Sequence, residues 1–205
     1  MNDFSATVNG MCLEFFDEGH IYLVDGVIVP SITDILKVRF GNKYQGIPKD
    51  VLEAASSAGT AVHDAIEAYC KRGEESDLPE LRNFKFLQKQ YHFDVLGNEI
   101  PVLLLDADGK PIAAGRIDLL IAEQNAAEGQ QIGLADIKRT STLDKDYLFY
   151  QLNLYKIAFT QSYGIDVDFL SGIHLRNDIR RFVNSPVNED AAWQLVTQYF
   201  EGGTI

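Results

Sequence analysis

At 205 residues, with 46% hydrophobic and 23% charged side chains, the chain has the make-up of an ordinary folded domain, long enough to bury roughly 70% of its unfolded surface without disulfides or a structural metal. Two cysteines, Cys12 and Cys70, exclude a disulfide framework, a four-cysteine zinc site and a cysteine-ligated iron–sulfur cluster. A net charge of −12 speaks against broad electrostatic binding of nucleic acid and leaves only a local basic groove for that purpose.

The opening MNDFSATVNG lacks the basic start and apolar run of a secretory leader, and no stretch approaches 18 apolar residues. The expectation is a cytoplasmic protein with no membrane contact. Short apolar runs at Glu14-Phe15-Phe16, His20 to Val24 and Val27 to Val29 predict strands, the last two joined by an Asp25-Gly26 hairpin turn. Ser31 is placed to cap a short helix.

Ala54, Ala58, Ala61, Val62, Ala65, Ile66 and Tyr69 recur at helical spacing and predict a helix over 50–72, closed by Gly73. A second helix is expected over 80–92. Segments 100–106, 111–122 and 132–138 predict an antiparallel meander, with Asp108-Gly109 as one turn and 124–130 as a polar second turn. Residues 144–163 predict a long helix ended by Gly164, residues 169–175 and 179–183 a strand pair, and residues 188–200 a last helix. The order predicts an α+β (mixed α/β) fold, with a central, mostly antiparallel or mixed sheet flanked by helices. We expect one domain over 1–205: an N-terminal hairpin and short helix over 1–50, a core over 51–183 and a C-terminal helix over 184–205.

Chemistry concentrates in Gly115-Arg116-Ile117-Asp118 and Asp136-Ile137-Lys138. On a strand, residues i and i+2 share a face about 6.6 Å apart, so Asp136 and Lys138 aim together. In the expected meander Asp118 faces Asp136 across neighbouring strands. Two carboxylates that close repel unless a cation lies between them, and Mg2+, with Mn2+ as substitute, suits carboxylates plus water with positions left for a phosphate oxygen. Lys138 beside the ion would orient a nucleophile or stabilise developing charge. The bland alternative is an exposed salt-bridged Asp-x-Lys at a strand end, with Asp118 on a solvated edge.

Other residues are more ambiguous. Gln151 and Tyr155 share a helix face and would contact phosphate or brace the lysine; otherwise Tyr155 belongs to the core with Gln151 at its rim. His63 is a metal ligand, a phosphate contact or a satisfied, partly buried histidine. Glu99, at the expected start of a strand, is a third carboxylate or a solvated one. Arg116, Lys138, Arg139, Lys145 and Lys156 are candidates to line a basic groove.

Taken in order, Gly59…His63, Glu99, Gly115-Arg-Ile-Asp118, Asp136-Ile-Lys138 and Gln151…Tyr155 resemble the motif series of the PD-(D/E)xK nucleases. The likeness is to the RecB-type branch that includes lambda-type phage exonucleases and CRISPR-associated adaptation exonucleases. Tyr22-x-x-Asp25-Gly26…Pro30-Ser-Ile-Thr also looks like the start of phage-encoded members, and the resemblance spans roughly residues 20–160. It implies a restriction-endonuclease-like core, with Asp118, Asp136, Glu99 and His63 as metal ligands and Lys138 as the catalytic lysine. Gln151, Tyr155 and Arg116 become substrate contacts, and Mg2+ or Mn2+ the cofactor. No cysteine follows Cys70, so the iron–sulfur cluster of some relatives is not expected. The implied activity is exonucleolytic hydrolysis of linear, double-stranded DNA in phage or prophage recombination or repair, within a bacterial host or phage-infected cell. The expected partners are further copies of the chain or a single-strand-annealing protein. The competing readings are a structure-specific or restriction-like endonuclease and a non-catalytic DNA-binding protein on the same fold.

Overall fold

A computed structural model describes residues 3–41, 45–125 and 129–202. It is an α+β protein with two sheets. The first is an antiparallel ribbon in sequence order, β1 (Phe4–Val8), β2 (Met11–Phe16), β3 (Ile21–Val24) and β4 (Val27–Val29). Asp25 and Gly26 both take positive φ, 49° and 79°, as the tight turn between β3 and β4 requires. Two short helices follow, α1 (Ile32–Ile35) and α2 (Lys37–Phe40). Ser31 accepts from the Thr33 amide and Asp34 reaches back to the Ser31 amide, a reciprocal cap that starts α1.

Next come α3 (Lys49–Arg72) and α4 (Pro79–Tyr91). Gly73 ends α3 in the left-handed conformation, where a side chain would be strained. The second sheet runs β5 (Phe93–Leu105), β6 (Pro111–Asn125), β7 (Gly129–Lys138), β8 (Phe169–Arg176) and β9 (Ile179–Ser185), again in sequence order. All pairs are antiparallel except β7 with β8. The crossover between that parallel pair carries α5 (Lys145–Tyr163), and α6 (Glu189–Glu201) closes the described chain. Asp144 and Asn188 cap α5 and α6 through their side-chain oxygens.

Burial divides the interior into three clusters. Leu148, Leu152 and Phe159 of α5, with Leu195 of α6 and Ile32 of α1, cover one face of the second sheet. Val62 and Ile66 of α3, with Leu81, Phe84 and Leu87 of α4, cover the other. The first sheet packs Leu13, Phe15, Tyr22 and Val24 on Leu103, Leu105 and Ala114 at one end of β5 and β6.

Four elements differ from the sequence reading. β1 was not foreseen, because Ser5 and Thr7 weaken its apolar signal. α2 was not foreseen either. β5 begins at Phe93 rather than Ile100, running through Gly97, Asn98 and Glu99, residues that ordinarily break strands. The sheet tolerates them because β5 is its edge strand and is bulged between Val95 and Gly97. The N-terminal part is a four-stranded sheet, not a hairpin alone. The predicted turn over 124–130 lies partly outside the described residues. Among the described residues no helix is long and apolar enough to cross a membrane.

Candidate metal centre

The centre lies where β6 changes face. Gly115 and Ile117 point under α5, where a Cβ on Gly115 would stand 2.9 Å from Tyr155 and 3.1 Å from Ile32. Leu119 and Ile121, of the same parity, instead pack under α3 and α4. A strand of strict period two cannot do this, so β6 turns over at Asp118. On β5, Ile100 pairs with Ile117 and Asn98 with Leu119, which leaves Glu99 across from Asp118. Glu99 has φ of 53°, a left-handed residue inside a strand. On the other side, the Leu119–Ala135 pair ends the β6–β7 ladder and places Asp136 across from Asp118. Beyond that pair the Ile137 amide donates to Asp118 Oδ2 at 2.7 Å. The side chain of Asp118 thus stands between two strands, with a carboxylate on each.

α3 brings the fourth group. His63 Nδ1 lies 3.6 Å from Glu99 Oε1 and 3.7 Å from Asp118 Oδ1, and one ligand atom from each of the three residues falls within 4.8 Å of the others. Asp136 is outside that triangle. It is 3% exposed, and its Oδ2 sits 2.6 Å from Lys138 Nζ. Arg116 Nε is 2.6 Å from Glu99 Oε2, with its guanidinium over the rings of Phe4 and Phe15.

The charges are strongly coupled. Burial pushes the Asp118 carboxyl up, and despite His63 the neighbouring Asp136 and Glu99 help hold it up at about 7. Burial opposes a charge on His63, but Asp118 and Glu99 outweigh it and raise the imidazole to about 9. Burial likewise disfavours an ionised Glu99, yet His63 and Arg116 hold its carboxyl below the usual range. Carboxylate oxygens and one imidazole nitrogen, with no thiolate, fit a hard divalent cation such as Mg2+ or Mn2+. Asp118, Glu99 and His63 would hold it, with Asp136 beside them.

The strain at Glu99 is testable without any ligand. A non-glycine residue in the left-handed region costs on the order of 1 kcal/mol. Glu99→Gly and Glu99→Ala remove the same carboxylate, so any stability difference isolates the backbone. Thermal melts should rank Glu99→Gly above Glu99→Ala by about 1 kcal/mol; equal melts would mean that the strand carries no strain there.

The remaining predicted residues divide. Gln151 and Tyr155 are both buried on α5, each 6% exposed. Tyr155 is a core residue; burial first, then Tyr22 and the Asp118 and Asp136 carboxylates, raise its phenol well above the ordinary value and keep it un-ionised. Gln151 is beside it, not at the rim. Glu99 lies mid-strand rather than at a strand start. Lys156 does not line a groove: it is buried and paired with Asp166 and Glu189. Lys145 is exposed at the first turn of α5.

Sequence reasoning missed two supports. Arg139, directly after Lys138, donates from Nε to Glu80 at 2.9 Å, and Glu80 is 1% exposed. Glu80 also accepts from the Asn177 amide, tying α4 to the ends of β7 and β8. His174, 1% exposed and in register with Lys138, is 2.7 Å through Nε2 from the Thr140 carbonyl. A glutamate after Leu-Pro at a helix start reads as solvated, and nothing local marks it as buried.

Two clefts flank the centre. One, about 630 Å³, is lined by the carboxylates of Asp3, Asp64, Glu67 and Glu99 and by His63, Arg72 and Arg116. The other, about 740 Å³, begins at Lys138 and runs between the first turns of α3 and the loop leading into α5.

No protein-family model matches this chain, and no curated protein matches it. A solved structure described as "Crystal structure of SSO0001" is similar with a TM-score of 0.46 and 16% identity, covering 86% of this chain and 77% of that one. A likeness that slight carries no argument about function.

Proposed function

We propose that the chain is a divalent-metal-dependent phosphodiesterase of the PD-(D/E)xK type, acting on DNA ends as an exonuclease. The observation that carries the reading is the placement of Glu99, Asp118 and Asp136 across three adjacent strands, with His63 reaching in from α3 and Lys138 held against Asp136. Three carboxylates gathered in one partly buried site repel one another, a cost that a bound cation would offset.

A divalent cation bound there would lower the pKa of a water and polarise a phosphoryl oxygen. The protein's own groups do the rest. Burial disfavours a charged Lys138, but Asp136 and Asp118 outweigh it and hold the amine above the ordinary lysine range. It therefore acts as a fixed cation and hydrogen-bond donor near neutral pH, not as a base. Glu99 and Asp136 are positioned to accept protons or hold water at the centre. The Ile137 amide fixes the direction of the Asp118 carboxylate, so the group is oriented before anything binds.

The test uses linear and covalently closed circular DNA with Mg2+, Mn2+ or a chelator. Release of mononucleotides from linear DNA alone, abolished by chelator, is the expected result. Cutting of closed circles would replace the exonuclease with an endonuclease on the same centre. Binding without cleavage under every metal would reduce the chain to a non-catalytic binder.

A further inference from the structure

β9 is an edge strand: it pairs with β8 on one side and, among the described residues, with no strand on the other. The two-residue turn Asn177-Asp178 makes Arg176 and Ile179 a hydrogen-bonded pair, so the N–H and C=O groups of Arg180, Phe182 and Asn184 point away from β8. Arg180 and Phe182 lie on the α4 side of the sheet, Arg181 and Val183 on the α5 side.

The surface beside that edge carries one sign of charge. Arg82, Phe86 and Lys89, at helical spacing, share an exposed face of α4. Across α4 and β9 the one carboxylate, Glu80, is buried. Among the described residues Arg82, Lys89 and Arg180 have no ion-pair partner. In a chain of net charge −12 this is a local reversal of sign. Aromatic rings interleave with the cations. The Arg180 guanidinium stands 3.7 Å from the centre of the Phe86 ring, and Tyr91 stacks on Phe182 with 4.7 Å between ring centres. Phe86 and Tyr91 are 44% and 40% exposed. Charge alone guards a strand edge against stray pairing; two large rings left open beside it do not serve that purpose.

We propose that β9 receives an acidic, extended segment of a partner protein, which adds to the five-stranded sheet as a further edge strand. The open ladder selects a peptide over a nucleic acid. It presents donors and acceptors in turn, which a second polypeptide backbone returns in kind, whereas a DNA backbone offers acceptors alone. The side chains of β9 set the pattern of the incoming strand: acidic opposite Arg180 and Arg181, apolar opposite Phe182 and Val183. None of these residues lines the metal centre or its two clefts, so the docking surface stands or falls separately from the phosphodiesterase reading.

The probe is a labelled peptide of that pattern, Glu-Glu-Ile-Val-Glu-Glu-Ile-Val, capped at both ends and followed by fluorescence anisotropy with the full chain. Saturable binding is expected, with slowed hydrogen exchange at the Phe182 and Asn184 amides. N-methylation of every second peptide residue, in one parity or the other, should weaken binding about tenfold or more, because it removes the main-chain donors and keeps the charge. Arg180→Glu should weaken it about tenfold, more at low salt than at high, and should melt as the parent does because Arg180 is exposed. The counterpart with lysine in place of glutamate should not bind. Absence of saturable binding by the acidic peptide would overturn the proposal, as would parent-like binding to Arg180→Glu. Equal binding of both N-methylated peptides would also overturn it, since the surface would then read charge alone. So would displacement of the peptide by a DNA oligonucleotide as effectively as by unlabelled peptide, which would make this a nucleic-acid surface.

Discussion

Replacing Asp118 with asparagine is expected to lower turnover by about a thousandfold or more while raising the melting temperature of the metal-free protein. The loss follows from the position of Asp118 between Glu99 and Asp136, where it is the carboxylate shared by every arrangement of an ion at this centre. The gain follows from its electrostatics. Burial, Asp136 and Glu99 together hold its carboxyl at about 7, although His63 pulls the other way. A carboxyl raised in the folded state is a penalty that accrues as pH rises from the unfolded value, about 4, to about 7. Asparagine carries no such penalty, and its side-chain oxygen can still accept from the Ile137 amide. At pH 8 the variant should gain about 1–2 kcal/mol, or roughly 2–8 °C in a chain of this size. Below about pH 3 the gain should vanish, because the parent aspartic acid is then largely neutral in both states. Saturating Mn2+ should reverse the order, since only the parent is stabilised by binding. A variant that melts lower than the parent at pH 8 in chelator would show that Asp118 is a structural acid.

Lys138→Ala should cost about a hundred- to a thousandfold in turnover, with little change in the metal needed for half-saturation. Its amine touches Asp136 and is kept charged by Asp136 and Asp118 despite burial, so its loss removes a donor from the reacting phosphate. It also leaves Asp136, 3% exposed, without its counter-charge. Removing one partner of a buried ion pair costs about 3–5 kcal/mol, so the variant should also melt below the parent. Lys138→Met, of similar length, should be as inactive as Lys138→Ala. Parent-like turnover in Lys138→Met would remove the amine from the mechanism.

Much of the frame is legible in the sequence, for local physical reasons. The turn at Asp25-Gly26 and the left-handed helix ends at Gly73 and Gly164 are positions where backbone conformation dictates residue type. The β6–β7 meander followed from the apolar runs that hold Asp118 and Asp136 and the polar turn between them, and the register that sets those two residues opposite one another follows from strand adjacency. What escaped is tertiary. Glu99 sits mid-strand because an edge strand with a bulge absorbs Gly97 and Asn98, which no local propensity announces. Glu80 and Lys156 look like surface charges in the sequence. One becomes the buried clamp of Arg139, and the other is withdrawn from the basic groove by Asp166 and Glu189. Tyr155 has the spacing of a substrate contact, yet it fills the space that Gly115 leaves open.

If His63, Glu99 and Asp118, with Asp136 beside them, form one divalent-cation site, calorimetric titration of the protein with Mn2+ should show it. One site per chain is expected, weakened about tenfold or more by Asp118→Asn and by Glu99→Gln. The apparent affinity should rise between pH 6 and pH 9, because binding must displace protons from an Asp118 near 7 and a His63 near 9. Absence of saturable Mn2+ binding, or binding to Asp118→Asn as tight as to the parent, would contradict it.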